Sequence, residues 1–457
     1  MEDRQNKKIF IISLGCPKNQ VDSEFLLGLL VRQDYEITLD PAEAGVILIN
    51  TCAFIQPAVE ESVNTILEMA DYKETGRAWA LAVTGCLPQR YKNDLVSSLP
   101  EVDLFCGSGE INLLPDLLND LAKGRTLESR SMAKPGFIPA DPGSRLQASP
   151  FFRAYLKIAE GCSNACSYCI IPRLRGPYVS RSLESLAAEA QLLAENGVKE
   201  LILIAQDTTA YGQDLMPRTN LPKLLSRLAR VQGIEWLRIM YAYPRGVSDE
   251  LIEVMAVEPK ICAYLDLPLQ HASPKILKRM GRGRDPDLPA LLARLRQGLP
   301  GLSLRTTIMV GFPGETEADF ENLMEFVEQS RFNHLGVFKF SPEEDTAAAR
   351  FPGQVPRRIK ENRRRKIMTL QKRISRNLNK SLAGQTLPVL IEGHSEETEL
   401  LIVGRTQGQA PEVDGQVFIT DGEARVGEIQ PVKITQAHDY DLVGEALDVP
   451  ERCSTGQ

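Results

Sequence analysis

The sequence predicts an α/β protein in three successive parts: an N-terminal open parallel sheet, a central (β/α) partial barrel and a small C-terminal antiparallel β-barrel. Two observations lead to this prediction. Apolar runs alternate with amphipathic helical stretches from residue 8 to about residue 122 and again through the middle of the chain, as in parallel strands joined by helices. Near the C-terminus, short alternating runs are separated by glycine-rich turns, which indicates antiparallel strands.

The composition is that of a multidomain protein without a membrane span. The 457 residues suffice for roughly three domains, and 43% hydrophobic residues is ordinary for a chain with buried cores. The N-terminus is polar, and no apolar stretch approaches the ~20 residues of a membrane span. Nine cysteines spread along the chain argue against a disulfide framework and for reduced thiols. We therefore expect a cytoplasmic protein.

Three predicted strands of the first part lead directly into a cysteine, at Cys16, Cys52 and Cys86. Because the carboxyl ends of parallel strands meet at one edge of a sheet, these thiols are expected to converge on a cluster site. Cys106 follows a fourth strand and meets the same condition, so spacing alone does not choose three of the four. A single cysteine of this kind is more often a buried small residue. The strands are predicted at residues 8–14, 46–50, 78–84 and 102–105.

Residues 123–150 break the alternating pattern. They contain four prolines and three glycines, which predicts an irregular spacer between two domains.

A second group of cysteines opens the central part, with the spacing Cys-x3-Cys-x2-Cys at Cys162, Cys166 and Cys169. An apolar run at residues 155–159 predicts a strand that ends just before this loop. Three thiolates on one loop hold three irons of a [4Fe-4S] cube and leave the fourth iron open. The alternatives are a zinc knuckle or buried free cysteines. Zinc prefers a tetrahedral set, and the histidine closest to the loop in sequence is the distant His271.

Polar residues mixed with glycine or proline follow the strands predicted in the central part, where a parallel barrel carries its active residues. Taken singly these segments are weak indications. Residues 311–316 equally predict a turn into a helix near Glu317 with Thr316 as its cap, and His271 alone is more often structural than catalytic. The strands are predicted at residues 154–159, 200–205, 236–241, 263–267, 303–309 and 335–340.

The cysteine loop at Cys162, Cys166 and Cys169 resembles that of radical S-adenosylmethionine (SAM) enzymes, and Tyr168 fits the same pattern. The two triads in tandem resemble the methylthiotransferase family of these enzymes along almost the whole chain. The resemblance implies a radical SAM [4Fe-4S] cluster on this loop. It also implies an auxiliary [4Fe-4S] cluster on the family's motif cysteines, which match Cys16, Cys52 and Cys86 and leave Cys106 as a buried residue.

The same resemblance implies the contacts of SAM. Gln206 and Asp207 are expected to contact its amino group, Gln270 its ribose, and Val310 and Gly311 its adenine. Tyr168 is a further expected contact in the loop. No catalytic residue is implied beyond the cluster ligands. The implied reaction cleaves SAM to a radical that removes hydrogen from an unactivated carbon, and the auxiliary cluster supplies sulfur that a second SAM methylates. An external electron donor and a sulfur source are implied as partners.

The resemblance also sets the expected domains. They are a methylthiotransferase N-terminal domain at 7–122, a linker at 123–147, a radical SAM barrel at 148–380 and a substrate-binding TRAM domain at 381–449.

The substrate is expected to be a protein. Residues 383–450 hold three basic and thirteen acidic residues, whereas a nucleic-acid module needs lysines and arginines. Against this, a predicted helix at 357–380 carries eleven basic residues and one acidic residue; it faces solvent, pairs with the acidic barrel or contacts RNA. Its predicted apolar stripe is Ile367, Leu370, Ile374, Leu378 and Leu382.

Residues 154–162 and 264–273 look like the RimO branch of the family, which modifies the β-carbon of an aspartate in small-subunit ribosomal protein S-twelve, free or on the assembled ribosome. Asp345 departs from the glycine expected at its position. The alternatives are a MiaB-type enzyme that methylthiolates a tRNA adenosine, and a non-catalytic metal-binding protein associated with the ribosome.

Overall fold

The structure, a computed structural model, describes residues 6–125, 135–136, 138–139, 141–395 and 398–447. Residues 126–134, 137 and 140 of the predicted linker lie outside the described residues, as do residues 396, 397, 448 and 449 of the predicted TRAM domain and Cys453. Within the described part, no helix combines the length and the apolar character that crossing a membrane requires.

The N-terminal domain is an open sheet of five parallel strands in the order β2-β1-β3-β4-β5, which confirms the predicted sheet. Its central strands are buried at every position because helices cover both faces. The sequence does not predict β2, since a two-residue strand shows no period. The strands are β1 (Lys8–Ser13), β2 (Glu36–Ile37), β3 (Val46–Thr51), β4 (Ala80–Gly85) and β5 (Leu104–Gly107), and the helices are α1 (Pro17–Val31), α2 (Gln56–Ala70), α3 (Tyr72–Thr75), α4 (Cys86–Ser98) and α5 (Leu114–Ala122).

The central domain confirms the prediction of six parallel strands. They form one open sheet in the order β13-β12-β11-β10-β9-β6, and a short antiparallel pair, β7 with β8, stands apart from it. The strands are β6 (Arg153–Lys157), β7 (Ala159–Glu160), β8 (Val179–Ser180), β9 (Glu200–Ile204), β10 (Trp236–Ile239), β11 (Ile261–Asp266), β12 (Ser303–Val310) and β13 (His334–Lys339). The helices are α6 (Ile171–Arg175), α7 (Leu183–Glu195), α8 (Leu221–Leu228), α9 (Asp249–Val257), α10 (Pro274–Arg279), α11 (Leu288–Gly298) and α12 (Glu317–Ser330).

A long helix leads from the central sheet to a closed C-terminal barrel with the strand order β14-β15-β16-β18-β17. The small barrel is confirmed, with one difference: β16 pairs with β18 in parallel, whereas its other pairs are antiparallel. The elements are α13 (Arg357–Lys380), β14 (Thr386–Ser395), β15 (Thr398–Thr406), β16 (Val417–Asp421), β17 (Ile429–Ala437) and β18 (Leu442–Ala446).

The N-terminal domain and the C-terminal barrel together cover the inner face of the central sheet. Successive residues of β9 face opposite sides. Leu201 and Leu203 pack with the helices of the central domain. Ile202 and Ile204 instead belong to a buried cluster that includes Phe25 of α1 and Leu390 of β14. The carboxyl end of the central sheet therefore meets the N-terminal domain, which positions the site.

The described end of the predicted spacer does more than connect two domains. Arg145 is buried, and its guanidinium pairs with Glu24 of α1 and, at 2.7 Å, with Glu189 of α7. The backbone N–H of Leu146 also donates to Glu24 O at 3.0 Å. This segment therefore fastens the N-terminal domain to the central domain, and the sequence does not indicate it because its partners lie in two other elements.

Candidate functional site

The structure brings Cys16, Cys52 and Cys86 together at the carboxyl edge of the N-terminal sheet. Cys16 precedes α1 as its cap residue, Cys52 follows β3, and Cys86 is the first residue of α4. Cys16 lies close enough to Cys52 and Cys86 for its charge to act on both thiols, and the charge of Cys52 acts on Cys86. We call this group the N-terminal triad.

Cys106 lies apart from the N-terminal triad. It is a buried residue within β5, paired with Thr84, and its Sγ–H donates to Glu110 O at 3.3 Å. The thiol of Cys106 is therefore buried and hydrogen-bonded within the N-terminal domain, which agrees with its expected role as a buried residue.

Glycines allow the close approach of the N-terminal triad. Gly15 has φ of 95°, and a Cβ at this position would lie 2.6 Å from Cys52 Cβ and 3.0 Å from its Sγ. Gly85, with φ of 98°, packs equally tightly on Thr51 O. Only glycine adopts this backbone without strain and leaves the space between the thiols open.

The loop triad, Cys162, Cys166 and Cys169, follows the β7 strand of the central domain, and all three side chains are half-buried. Backbone hydrogen bonds from other parts of the domain hold the loop. Cys162 N donates to Gly176 O at 3.0 Å, and Ser167 N donates to Met280 O at 2.9 Å. The predicted strand at 155–159 is interrupted at residue 158, so the loop begins after a short separate strand.

Burial raises the pKa of these thiols. It raises the pKa of Cys86 and of Cys169 to about 12, and it also raises the pKa of Cys52 and Cys162. Cluster binding requires thiolates, so a bound metal has to displace these protons.

Each triad offers three thiols on neighbouring backbone segments, which fits a [4Fe-4S] cube with one iron free of protein. Among the described residues, no three histidine, cysteine or acidic side chains converge as ligands of a single ion. A cube does not need such convergence, because it distributes its thiolates over separate irons.

The residues expected to contact SAM lie on two sides of the loop triad. On one side, Asp207 Oδ2 accepts a hydrogen bond from Asn164 Nδ2 at 2.8 Å, and both line a cavity of about 420 Å³ with Tyr243 and Arg245. Gln206, its half-buried neighbour, follows β9. The cavity gives the amino acid part of a ligand room beside the loop.

On the other side of the loop, Tyr168 packs edge-to-face on Phe312, with ring centroids 6.4 Å apart, beside Val310 and Gly311. Gln270 bridges to Ile308 of β12 and has φ of 71°. A non-glycine residue in this region is unusual and is found often at functional sites. The loop triad thus lies between the segments that follow β9 and those that follow β11 and β12.

The structure confirms the prediction that residues 311–316 turn the chain into a helix capped by Thr316. Thr316 caps α12 in a capping box with Asp319. Glu315 Oε2 accepts hydrogen bonds from the backbone of Gly311 and Phe312, and Arg363 of α13 pairs with its other oxygen at 3.1 Å. The same segment therefore turns the chain into a helix and holds Gly311 in place.

His271 is fully buried and structural. Its Nδ1 accepts a hydrogen bond from Ser273 N at 2.9 Å, and burial lowers its pKa to about 4.

Arg175, at the end of α6, connects the two triads and is not identified from the sequence. It is buried, and its positive charge acts on the thiol of Cys86. Its Nη1 donates to Asp22 Oδ2 at 2.6 Å and to Glu160 Oε2 at 3.2 Å. Because α6 begins two residues after Cys169, one short helix links the loop triad to the N-terminal triad. The sequence offers only one indication of this role, an arginine that closely follows the cysteine motif.

Lys18, two residues after Cys16, is the second functional candidate that the sequence does not identify. It is only 4% exposed, and its ammonium lies 3.1 Å from the ring centroid of Tyr241. Tyr241 follows β10 and has φ of 58°. A lysine in this position brings a positive charge from the N-terminal domain to the carboxyl end of the central sheet.

Helix α13 has the predicted bounds and the predicted apolar stripe. Ile367, Leu370 and Ile374 are buried, and Leu378 and Leu382 are partly buried against the cores of the central domain and the barrel. Part of its basic surface pairs with acidic residues, since Lys372 and Arg376 both contact Asp439 of the C-terminal barrel, at 2.9 and 3.8 Å.

Asp345, where the family resemblance suggests glycine, has φ of 71°. This is the left-handed region that glycine adopts most easily, and Asp345 here pairs with Arg173 of α6 at 3.0 Å.

Three family models match successive parts of the chain. Residues 8–107 match "Uncharacterized protein family UPF0004", residues 156–327 match the "Radical SAM superfamily", and residues 383–447 match the "TRAM domain".

Solved structures share the fold at low identity. Radical SAM methyltransferase TsrM from Kitasatospora setae, with cobalamin and a [4Fe-4S] cluster bound, gives a TM-score of 0.55 at 13% identity over 86% of this chain and 81% of that one. The cobalamin-dependent SAM radical enzyme OxsB gives 0.52 at 13% identity over 81% and 57%. The fold and the family models define a radical SAM protein with a C-terminal TRAM domain.

Curated relatives show to which family of radical SAM proteins the chain belongs. Proteins named "Ribosomal protein uS12 methylthiotransferase RimO" are 52% identical in Pelobacter propionicus, over 97% of this chain and 99% of that protein, and 51% identical in Myxococcus xanthus, over 99% and 94%. The protein of this name from Geobacter sulfurreducens is 50% identical over 96% and 99%. The chain belongs to this RimO family of methylthiotransferases. Membership of the radical SAM superfamily implies one [4Fe-4S] cluster and SAM.

Proposed function

We propose that this protein adds a methylthio group to the β-carbon of an aspartate in uS12, the small-subunit ribosomal protein S-twelve. The name shared by the relatives supports the substrate, and the link between the two triads through α6 is the observation that carries the mechanism. We place the reaction in the cytoplasm, with an external electron donor and a sulfur source as partners.

The proposed roles of the cysteines follow from the two triads. Cys162, Cys166 and Cys169 would hold the radical SAM cluster, and Cys16, Cys52 and Cys86 would hold an auxiliary [4Fe-4S] cluster. When bound, these groups and SAM supply the radical and sulfur chemistry, while the protein binds, orients and excludes water.

The SAM site would use the two sides of the loop triad. Asp207, which accepts a hydrogen bond from Asn164, would bind the amino group of SAM, with Gln206 beside it. Gln270 is assigned to the ribose, and Val310 and Gly311 to the adenine. Tyr168, packed on Phe312, would shield the site from water.

The C-terminal barrel supports a protein substrate. Asp421, Glu423 and Glu428 are exposed on it, so its surface would attract a basic protein and repel RNA. The domain limits proposed here are 7–122, 123–147, 148–380 and 381–449, and the last of these would hold the substrate.

The test incubates the reconstituted protein with SAM and a reductant, and with either uS12 or tRNA. We expect one aspartate of uS12 to gain the mass of one sulfur and one CH₂ group, measured by peptide mass spectrometry. Modification of tRNA alone would refute the proposed substrate and favour a MiaB-type activity.

Metal analysis of the anaerobically purified protein tests the two clusters. Two cubes correspond to about eight irons and eight sulfides per chain. Bound zinc without sulfide would contradict the enzymatic proposal and indicate a non-catalytic metal-binding protein.

A further inference from the structure

The charge of Lys18 has no anionic partner among the residues that the structure describes. No hydrogen bond or ion pair is found there for its ammonium, whose contact is the face of the Tyr241 ring at 3.1 Å. Lys18 is nonetheless buried, since only 4% of the residue is exposed. A buried ammonium is costly unless it is paired, so this site is set for an anion that arrives from outside the chain.

The carboxylates nearest to Lys18 already have other partners. Asp266 accepts hydrogen bonds from Tyr241 N at 3.0 Å and from Arg305 at 3.2 Å. Glu160 accepts from Lys157 at 2.8 Å and from Arg175 at 3.2 Å. Both carboxylates act on Lys18 through space, but each is hydrogen-bonded to other groups and neither is found bonded to the ammonium.

Lys18 lies where the N-terminal triad meets the carboxyl end of the central sheet. It follows Cys16 of the N-terminal triad by two residues, and its partner Tyr241 follows β10 at the carboxyl end of the central sheet. Carboxyl ends of barrel strands carry the active residues of such folds. A substrate carbon that has to be reached from both triads must therefore lie near this ammonium.

We propose that Lys18 binds the side-chain carboxylate of the target aspartate and so selects aspartate as substrate; this inference rests on the proposed function. The β-carbon of aspartate is bonded directly to the carboxyl carbon. Holding the carboxylate on Lys18, with Tyr241 behind the ammonium, fixes the β-carbon between the two triads.

A different role for Lys18 has to be separated from this one. Its charge also acts on Cys16, so it would equally offset the negative charge of thiolates in the N-terminal triad. That role predicts a loss of iron from Lys18 variants, with equal effects on substrates that carry and lack the carboxylate.

The experiment is a double-mutant cycle on binding. The cluster-loaded protein, with SAM but without reductant, is titrated with uS12 and with uS12 in which the modified aspartate is replaced by asparagine. We expect the unaltered protein to bind the aspartate form about 30-fold more tightly, as for a buried charge pair. In Lys18→Met the ratio should fall to near one, with iron content unchanged.

Lys7→Met is the matched control, because Lys7 also lies over a tyrosine ring, Tyr35, but is exposed and precedes β1, at the end of the strand opposite to the N-terminal triad. This variant should bind the aspartate form of uS12 more tightly than the asparagine form by the same factor as the unaltered protein. Lys18→Gln provides a second neutral variant with a polar end.

A ratio that stays the same in Lys18→Met and Lys18→Gln would overturn the inference, as would loss of iron with equal weakening for both forms of uS12. Failure of the unaltered protein to modify uS12 would instead refute the proposed function. The two failures are therefore distinguishable.

Discussion

At the scale of single residues, the two triads are expected to have separate effects. Cys162→Ala should abolish reductive cleavage of SAM, because it removes a ligand of the proposed radical cluster. Cys52→Ala should leave that cleavage measurable and stop sulfur insertion. Chromatography of 5'-deoxyadenosine and mass spectrometry of uS12 measure the two steps.

Cys106→Ala is the control for both substitutions, because Cys106 lies in β5 and bonds Glu110. It should retain both steps. Full methylthiolation by Cys52→Ala would show that the auxiliary site is wrongly assigned.

His271 is expected to make the stability of the protein depend on pH. Its pKa is lowered by burial from 6.5 to about 4, so the folded state keeps it neutral where the unfolded state binds a proton. Its contribution is complete above pH 6.5 and is lost as pH falls towards 4, by about 3 kcal/mol in total.

In His271→Asn this dependence should disappear, since asparagine does not titrate and its Oδ1 accepts the Ser273 N–H. Urea midpoints at several pH values between 4 and 7 measure the difference between the two proteins. Parallel pH profiles would contradict the assignment.

At the scale of elements, α6 is the structural link between the triads. Arg175→Met removes the cation between Asp22, Glu160 and Cys86, and leaves Asp22 and Glu160 with Lys157 alone. We expect the unfolding free energy to fall by roughly 3–5 kcal/mol. We also expect the iron content to fall towards that of a single cube, about four irons per chain.

Arg173→Met on the same helix is the control, because Arg173 is exposed and pairs with the exposed Asp345. It should change stability by no more than about 1 kcal/mol. Full iron content and unchanged stability in Arg175→Met would refute the linking role of α6.

Local patterns in the sequence predict the elements well where one physical rule governs them. The stripe of Ile367, Leu370 and Ile374 predicts α13, and the parallel-sheet rule brings Cys16, Cys52 and Cys86 to one edge. The choice of these three over Cys106 came from the family resemblance, and the burial of Cys106 within β5 agrees with it.

The sequence cannot predict contacts between domains. Lys18 and Tyr241 belong to different domains, as do Asp22 and Arg175. The spacing of apolar residues along the chain predicts helices and strands, but it does not predict which residues of two domains pair. The short strand β2 and the parallel pairing of β16 with β18 are missed for a related reason, since partners are chosen by the closed tertiary structure. The ligands of the proposed clusters are thus easier to predict than the charges around them.

At the scale of the whole molecule, a buried ion network joins the C-terminal barrel to the central sheet. Glu200 of β9 binds Arg238 of β10 and Arg405 of β15, each at 2.6 Å. The two arginines hold the pKa of Glu200 down at about 2. Trp236 lies in the same buried cluster as Leu390 and Ala410 of the barrel, so its fluorescence reports on this interface.

Glu200→Gln should loosen this interface, because it removes the anion that pairs with the buried Arg238 and leaves the buried Arg405 with Glu392. We expect a loss of roughly 3–5 kcal/mol in the unfolding transition followed by Trp236 fluorescence. The measurement uses a Trp79→Phe background, since Trp79 is the other tryptophan.

Glu423→Gln, in an exposed pair with Arg425 on the same barrel, is the control and should change stability by no more than about 1 kcal/mol. Equal transitions for the two variants would show that the network does not hold the barrel.

The distance along the chain between Asp22 and Arg175, 153 positions, has a consequence for biosynthesis. Translation releases Cys16, Cys52 and Cys86 well before Arg175 and Lys157 exist. The nascent N-terminal domain therefore presents its three thiols on an uncovered edge, open to metal delivery and to oxygen alike. Once the central domain has folded against α1, that edge is partly covered, with Cys86 buried and Cys16 and Cys52 half-buried. Assembly of the proposed auxiliary cluster before and after this step therefore takes place on two different surfaces.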